Sequence, residues 1–196
     1  LLELLNAGLY EEYYNEIKNT LIPFFNPETY GRSILENSSF IVSSAFPDKE
    51  LHGRGFQPRL SGATAELLSM WTIMVAGQKP FFIDETKGLK IMLDPILPGW
   101  LFTEKEQICI LYSDNKPVEH RVPVNSFAFK FLGKTLVVYH NEKRKNTYGK
   151  DGTRITSYAL KYADGKTCEL QGKGLGSAIA QDIRNGQVER IDAFLQ

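Results

Sequence analysis

The chain of 196 residues holds only 2 cysteines, 3 methionines, 2 tryptophans and 3 histidines, and its 23 Lys and Arg balance its 23 Asp and Glu. Each scarcity excludes something. Two cysteines cannot build the disulfide framework of a small secreted domain; Cys109 and Cys168 each sit in a strand-like run, which predicts two buried thiols rather than a bridge. His52, His120 and His140 lack Cys or His partners at ligand spacing, so neither a metal site nor a metal cofactor is expected. Zero net charge gives no general pull toward nucleic acid or an anionic membrane. No apolar run approaches the roughly 18 residues of a membrane span. No basic segment with a small-residue cleavage site marks a signal peptide, and a cytoplasmic protein is expected.

What is present falls into two compositional halves, predicting an α+β chain with domains at 1–79 and 80–196. Leu1, Leu5, Leu9, Tyr13, Ile17 and Leu21 recur at i, i+4 and predict one amphipathic helix over 1–22. The chain opens on Leu1-Leu2-Glu3-Leu4-Leu5 rather than methionine, so it reads as a piece of something longer, and that helix is expected to expose part of its apolar stripe and to self-associate. A second apolar helix is predicted over Ala63–Ala76, ended by Gly77 and Pro80. Beyond it, short alternating or apolar runs at 89–93, 107–112, 127–132, 135–140, 154–162 and 166–170 read as strands. Asp114-Asn115, Asp151-Gly152 and Asp164-Gly165 supply the turns between them, the last as a two-residue hairpin. Such punctuation predicts an antiparallel β-sandwich of jelly-roll type, closed by a short helix at Ser177–Arg184 and a strand at 188–194. The glycine-rich Gly172-Lys173-Gly174-Leu175-Gly176-Ser177 lacks the spacing of a nucleotide loop and reads as a connector with Ser177 as helix cap.

The candidate site lies between the two long helices, in residues 26–71. This stretch gathers Arg32, Arg54, Arg59, His52, Glu36 and Asp48 with several Ser and Asn, while Tyr30, Phe40, Ile41, Val42 and Phe56 argue against disorder. It ends in Leu60-Ser61-Gly62-Ala63-Thr64, where Ser61 is placed to cap the second helix. The first N–H groups of a helix have no partner within it, the helix dipole is positive there, and a glycine lets an anion approach the backbone. Arg54, Arg59 and His52 add charge just upstream, and an arginine can grip an oxyanion through two parallel bonds. Phosphate is the ligand this chemistry predicts. The plainer alternative is an ordinary helix start whose arginines are neutralised by Glu36, Asp48 and Glu66 as solvated ion pairs. A hydrolase triad of Asp48, His52 and Ser61 is disfavoured, because no G-x-S-x-G elbow surrounds any serine.

The string YGRSILENSSFIVSSAFPDKELHGRGFQPRLSGATAELLSMW resembles the region near the end of the catalytic barrel in inverting disaccharide and β-glucan phosphorylases of the cellobiose phosphorylase type. That resemblance implies an (α/α)6 barrel, of which residues 1–79 would be the terminal helices, followed by a C-terminal β-sandwich over 80–196. It also implies a phosphate loop with a Thr-Gly pair in an L-T-G-T-A pattern, matched here by Leu60-Ser61-Gly62-Ala63-Thr64 with serine keeping the hydroxyl. The residues that follow are more similar to the branch acting on β-1,3-glucans, and the ending AQDIRNGQVERID is similar to the close of such proteins. By the same resemblance His52 or an adjacent arginine contacts phosphate, Arg32, Glu36 and Arg59 are candidates for substrate contact, and the whole protein is a homodimer.

An inverting glycosidase needs one carboxylic acid for the leaving oxygen and a second carboxylate to activate water. In phosphorolysis the phosphate is itself the nucleophile, so cationic and N–H donors that hold it in line replace the second carboxylate. On this reading the chain supplies the donor half, no catalytic residue lies within it, and the general acid is expected upstream. The expected partners are a β-glucoside or β-glucan and inorganic phosphate as co-substrate, with no cofactor. Two alternatives stay open: a non-catalytic carbohydrate-binding or structural β-sandwich, and a glycoside hydrolase of related barrel fold using Glu36 or Asp48 to activate water.

Overall fold

The computed structural model describes residues 1–22, 26–31, 38–58, 63–85, 88–113 and 116–196, with side chains omitted at 38–40, 57–58, 63–65 and 113. The chain is a mixed α+β protein of two compact units, Leu1–Thr72 and Ile73–Gln196.

In the first unit the helix expected over 1–22 is two helices, α1 (Leu2–Asn6) and α2 (Tyr10–Thr20). Gly8 breaks it by adopting φ 75°, a left-handed conformation that glycine takes without strain. The i, i+4 stripe is therefore only partly continuous. Leu5, Tyr13 and Ile17 are buried, Leu21 is half-buried, and Leu1 and Leu9 are exposed, so part of the stripe is covered and part of it lies bare. A short α3 (Pro27–Tyr30) follows, with Pro27 at its first position and the Asn26 side chain accepting from the Thr29 N–H over 3.1 Å. Strands β1 (Ser38–Ile41) and β2 (Gly55–Pro58) pair antiparallel. Helix α4 (Ala63–Ala76) spans the boundary between the units.

The second unit begins with the last turn of α4 and two hairpins, β3 (Phe81–Ile83) with β4 (Leu89–Ile91), and β5 (Gln107–Ser113) with β6 (Lys116–Val122). The Asp114-Asn115 turn lies outside the described residues. Its centre is a five-stranded sheet of β7 (Ser126–Phe131), β8 (Thr135–His140), β9 (Ile155–Tyr162), β10 (Thr167–Gln171) and β11 (Val188–Leu195), in the order β10-β9-β11-β8-β7. Helix α5 (Ser177–Arg184) connects β10 to β11. That helical return makes β11 parallel to β8, while the other pairs of the sheet are antiparallel.

Central position explains why β8 and β11 hold the most buried residues of the sheet. Val137, Val138, Tyr139, Ile191 and Ala193 are wholly buried, and Ala180 of α5 joins this core. The glycine-rich segment is the connector expected, since Leu175 exchanges two backbone hydrogen bonds with Ile91 at 2.8 and 3.2 Å. Its capping differs from expectation: Gly176 is the N-cap, and Ser177 is already the first helical residue. Cys109 and Cys168 are free thiols but half-buried rather than buried, because each lies on a strand of a solvent-facing hairpin.

Candidate functional site

Residues 42–54 form a loop that joins β1 to β2 and closes on itself. The Val42 N–H donates to the Arg54 carbonyl over 3.1 Å, and the Gly53 N–H donates to the Val42 carbonyl over 2.8 Å. Gly53 is buried at φ 80°, and a Cβ there would meet the Ile22 side chain at 3.0 Å, so both conformation and space call for glycine. Within the loop Asp48 caps a 3-10 turn, Lys49–Leu51, accepting from the Glu50 N–H over 3.0 Å. The His52 N–H then donates to Lys49 O, and the Arg54 N–H to Leu51 O. The loop is also tied to α2, where the Ser44 hydroxyl donates to the Glu16 carboxylate.

This bonding fixes the two described residues of the expected phosphate site. Arg54 is exposed and stands where the loop re-enters β2. His52 is half-buried, with Nε2 2.7 Å from the Phe46 carbonyl oxygen. A carbonyl only accepts, so Nε2 carries a proton, and His52 can donate to an anion only through Nδ1, as the doubly protonated imidazolium. Ser61, Gly62 and Arg59 lie outside the described residues, as do Arg32 and Glu36. Helix α4 does begin at Ala63, directly after Ser61-Gly62. Asp48, a candidate water-activating carboxylate, spends one oxygen on the turn it caps.

A second polar constellation, which sequence reasoning passed over, lies on the central sheet. His140 on β8 has Nε2 2.7 Å from Asp192 Oδ1 on β11 and Nδ1 3.3 Å from the Ser126 hydroxyl on β7. Arg190 holds Asp192 through two bonds of 2.7 Å, and the His140 ring stacks on Phe194 at 4.8 Å. Burial alone would raise the Asp192 carboxyl, but hydrogen bonds and charge from Arg190 and His140 outweigh it and hold the group below the ordinary carboxylate range. Serine, histidine and aspartate stand in the order of a hydrolase triad, yet Ser126 is wholly buried and no substrate carbonyl can reach it. The cluster binds three strands together. Its signal in the sequence is the spacing Arg190-x-Asp192-x-Phe194, which puts two opposite charges and an aromatic on one face of the strand.

Among the described residues, no group of His, Cys, Asp and Glu could hold a metal ion, and no helix is long and apolar enough to cross a membrane. No protein-family model and no curated protein matches the chain.

Proposed function

We propose that the chain is the C-terminal portion of an inverting carbohydrate phosphorylase, which cleaves a β-glucosidic bond with inorganic phosphate to give α-glucose 1-phosphate. Residues 1–79 are then the end of an (α/α)6 barrel and residues 80–196 a β-sandwich domain of a cytoplasmic homodimer. The observation that carries this reading is the closed loop of residues 42–54. It holds His52 and Arg54 by backbone bonds just ahead of Leu60-Ser61-Gly62, the segment most similar to the phosphate loop of the cellobiose phosphorylase type, and α4 starts at the next residue.

On this reading phosphate sits at the start of α4, where N–H donors and the helix dipole favour it, and the Arg54 guanidinium holds it in line with the anomeric carbon. His52 adds a bond from Nδ1 when its ring is charged. No oxygen nucleophile has to be deprotonated, which removes the need for a second carboxylate in this half of the site. The acid that protonates the leaving oxygen belongs to the preceding part of the barrel, so the chain alone turns over no glucoside.

The test is kinetic and uses the whole enzyme. Gly62→Val obstructs the approach of the anion to the backbone, and Arg54→Ala removes a charge-assisted contact, so each raises the phosphate concentration for half-maximal rate by about ten- to a hundredfold. The corresponding sugar concentration stays nearly unchanged. Equal effects on both substrates would assign the loop to the sugar or to the fold.

A further inference from the structure

The same loop carries a feature that phosphate binding does not use. Phe46 is 47% exposed. Beside it Ile41, Val42, Ser43, Ala45 and Pro47 join Phe46 in lining a shallow recess of about 320 Å³. That is the lower end of small-molecule sites, enough for one ring. The backbone that carries the aromatic is held on both sides: the Phe46 N–H donates to Ser43 O over 3.2 Å, and the Phe46 carbonyl accepts from His52 Nε2. Ser43 in turn accepts from the Ala45 N–H over 3.3 Å. With the backbone set before the ligand arrives, only the two side-chain torsions of the ring are left to order on binding.

The walls select the occupant. No charged side chain lines the recess among the described residues, so an oxyanion would give up its water there with no opposite charge to replace it. A wholly apolar ligand would leave its outer side bare to solvent. A pyranose suits both surfaces, because its C–H face is apolar and its rim of hydroxyls keeps water. We propose that Phe46 is the stacking platform of a sugar subsite, taking one glucosyl ring of a β-glucan in the recess of the loop. The proposal rests on the carbohydrate reading above and adds to it a contact for sugar that is separate from the phosphate contacts.

The experiment titrates the whole chain with laminaritriose and, separately, with inorganic phosphate, following backbone amides by NMR. Phe46→Leu keeps an apolar side chain but removes the ring face; Phe46→Trp enlarges that face. At a surface position neither change threatens the fold, and the spectra of the free variants check this. Laminaritriose shifts the amides of the recess in the parent chain, binds Phe46→Leu about three- to tenfold more weakly, and keeps its affinity for Phe46→Trp. Phosphate affinity is the same in all three. Equal laminaritriose affinity in the parent and Phe46→Leu, or no response of the recess to laminaritriose at all, overturns the subsite. The phosphate titration separates the two readings: laminaritriose binding through Phe46 without phosphate binding keeps the subsite and removes the phosphorylase, and phosphate binding without a response to laminaritriose does the reverse.

Discussion

His140 Nε2 lies 2.7 Å from Asp192 Oδ1, and this contact bridges β8 and β11, the parallel pair at the middle of the sheet. Arg190 grips the same carboxylate from within β11. Asp192→Asn keeps the shape but removes the charge that both partners need. It should destabilise the protein by about 1.5 to 3 kcal/mol, read as a lower urea midpoint at unchanged slope. Arg190→Gln, leaving Asp192 with His140 alone, should give a smaller loss.

The same group sets a pH dependence. The folded-state pKa of Asp192 lies below its ordinary value, so its contribution is complete above the unfolded carboxylate pKa of about 3.9 and fades as pH falls through the folded value. The stability gap between the parent and Asp192→Asn should therefore be flat near neutrality and narrow below about pH 4. Urea titrations of both proteins across that range check it; a gap that widens in acid would contradict the sign.

Tyr139 donates its hydroxyl to the Val75 carbonyl over 2.6 Å, capping the last turn of α4 from the sheet. Burial pushes this phenol well above its ordinary pKa, so it stays a donor throughout the accessible range. Tyr139→Phe leaves a buried carbonyl without this donor and should cost about 1 to 3 kcal/mol in chemical denaturation, with the native circular dichroism spectrum retained.

Tyr13 and Ile17 are buried residues of α2. Ile17→Ala should accordingly cost about 2 to 5 kcal/mol in the stability of the first unit, and the α2 amides should exchange slowly in the parent chain. Fast exchange in dilute protein that slows with concentration would instead mean that a second copy covers the helix.

The β-rich half was legible because its strands carry their own punctuation. Thr135–His140 and Ser177–Arg184 match the expected bounds; the hairpin at Asp164-Gly165 is present with Gly165 at φ 87°, but Tyr162 faces Lys166 across three residues, 163–165, rather than the two expected. Three things were not legible, each for a physical reason. The break at Gly8 was masked by leucines whose spacing continues across it. The parallel pairing of β8 and β11 depends on which edge an α5 return reaches, and local periodicity carries no such information. The polar bridge of Ser126, His140 and Asp192 joins residues far apart in sequence, so only the sheet register brings them together. At the candidate site, the cations and the helix start were readable from residue type. The use of His52 Nε2 to hold the Phe46 carbonyl was not, since nothing in the string His52-Gly53-Arg54 says which way the imidazole turns.

Placing β11 between β8 and β9 has a consequence for how the chain is made. It is the last strand of the sheet to leave a ribosome, yet it shares ladders with both neighbours, while β7–β8 and β9–β10 share none with each other. Until residues 188–195 emerge, the nascent chain holds two separate hairpins whose facing edges, on β8 and β9, are open to any extended strand nearby. Completion of the sheet is therefore a late, single event. A nascent chain stalled ahead of β11 would not be a slightly weakened protein but a pair of unjoined hairpins with adhesive edges.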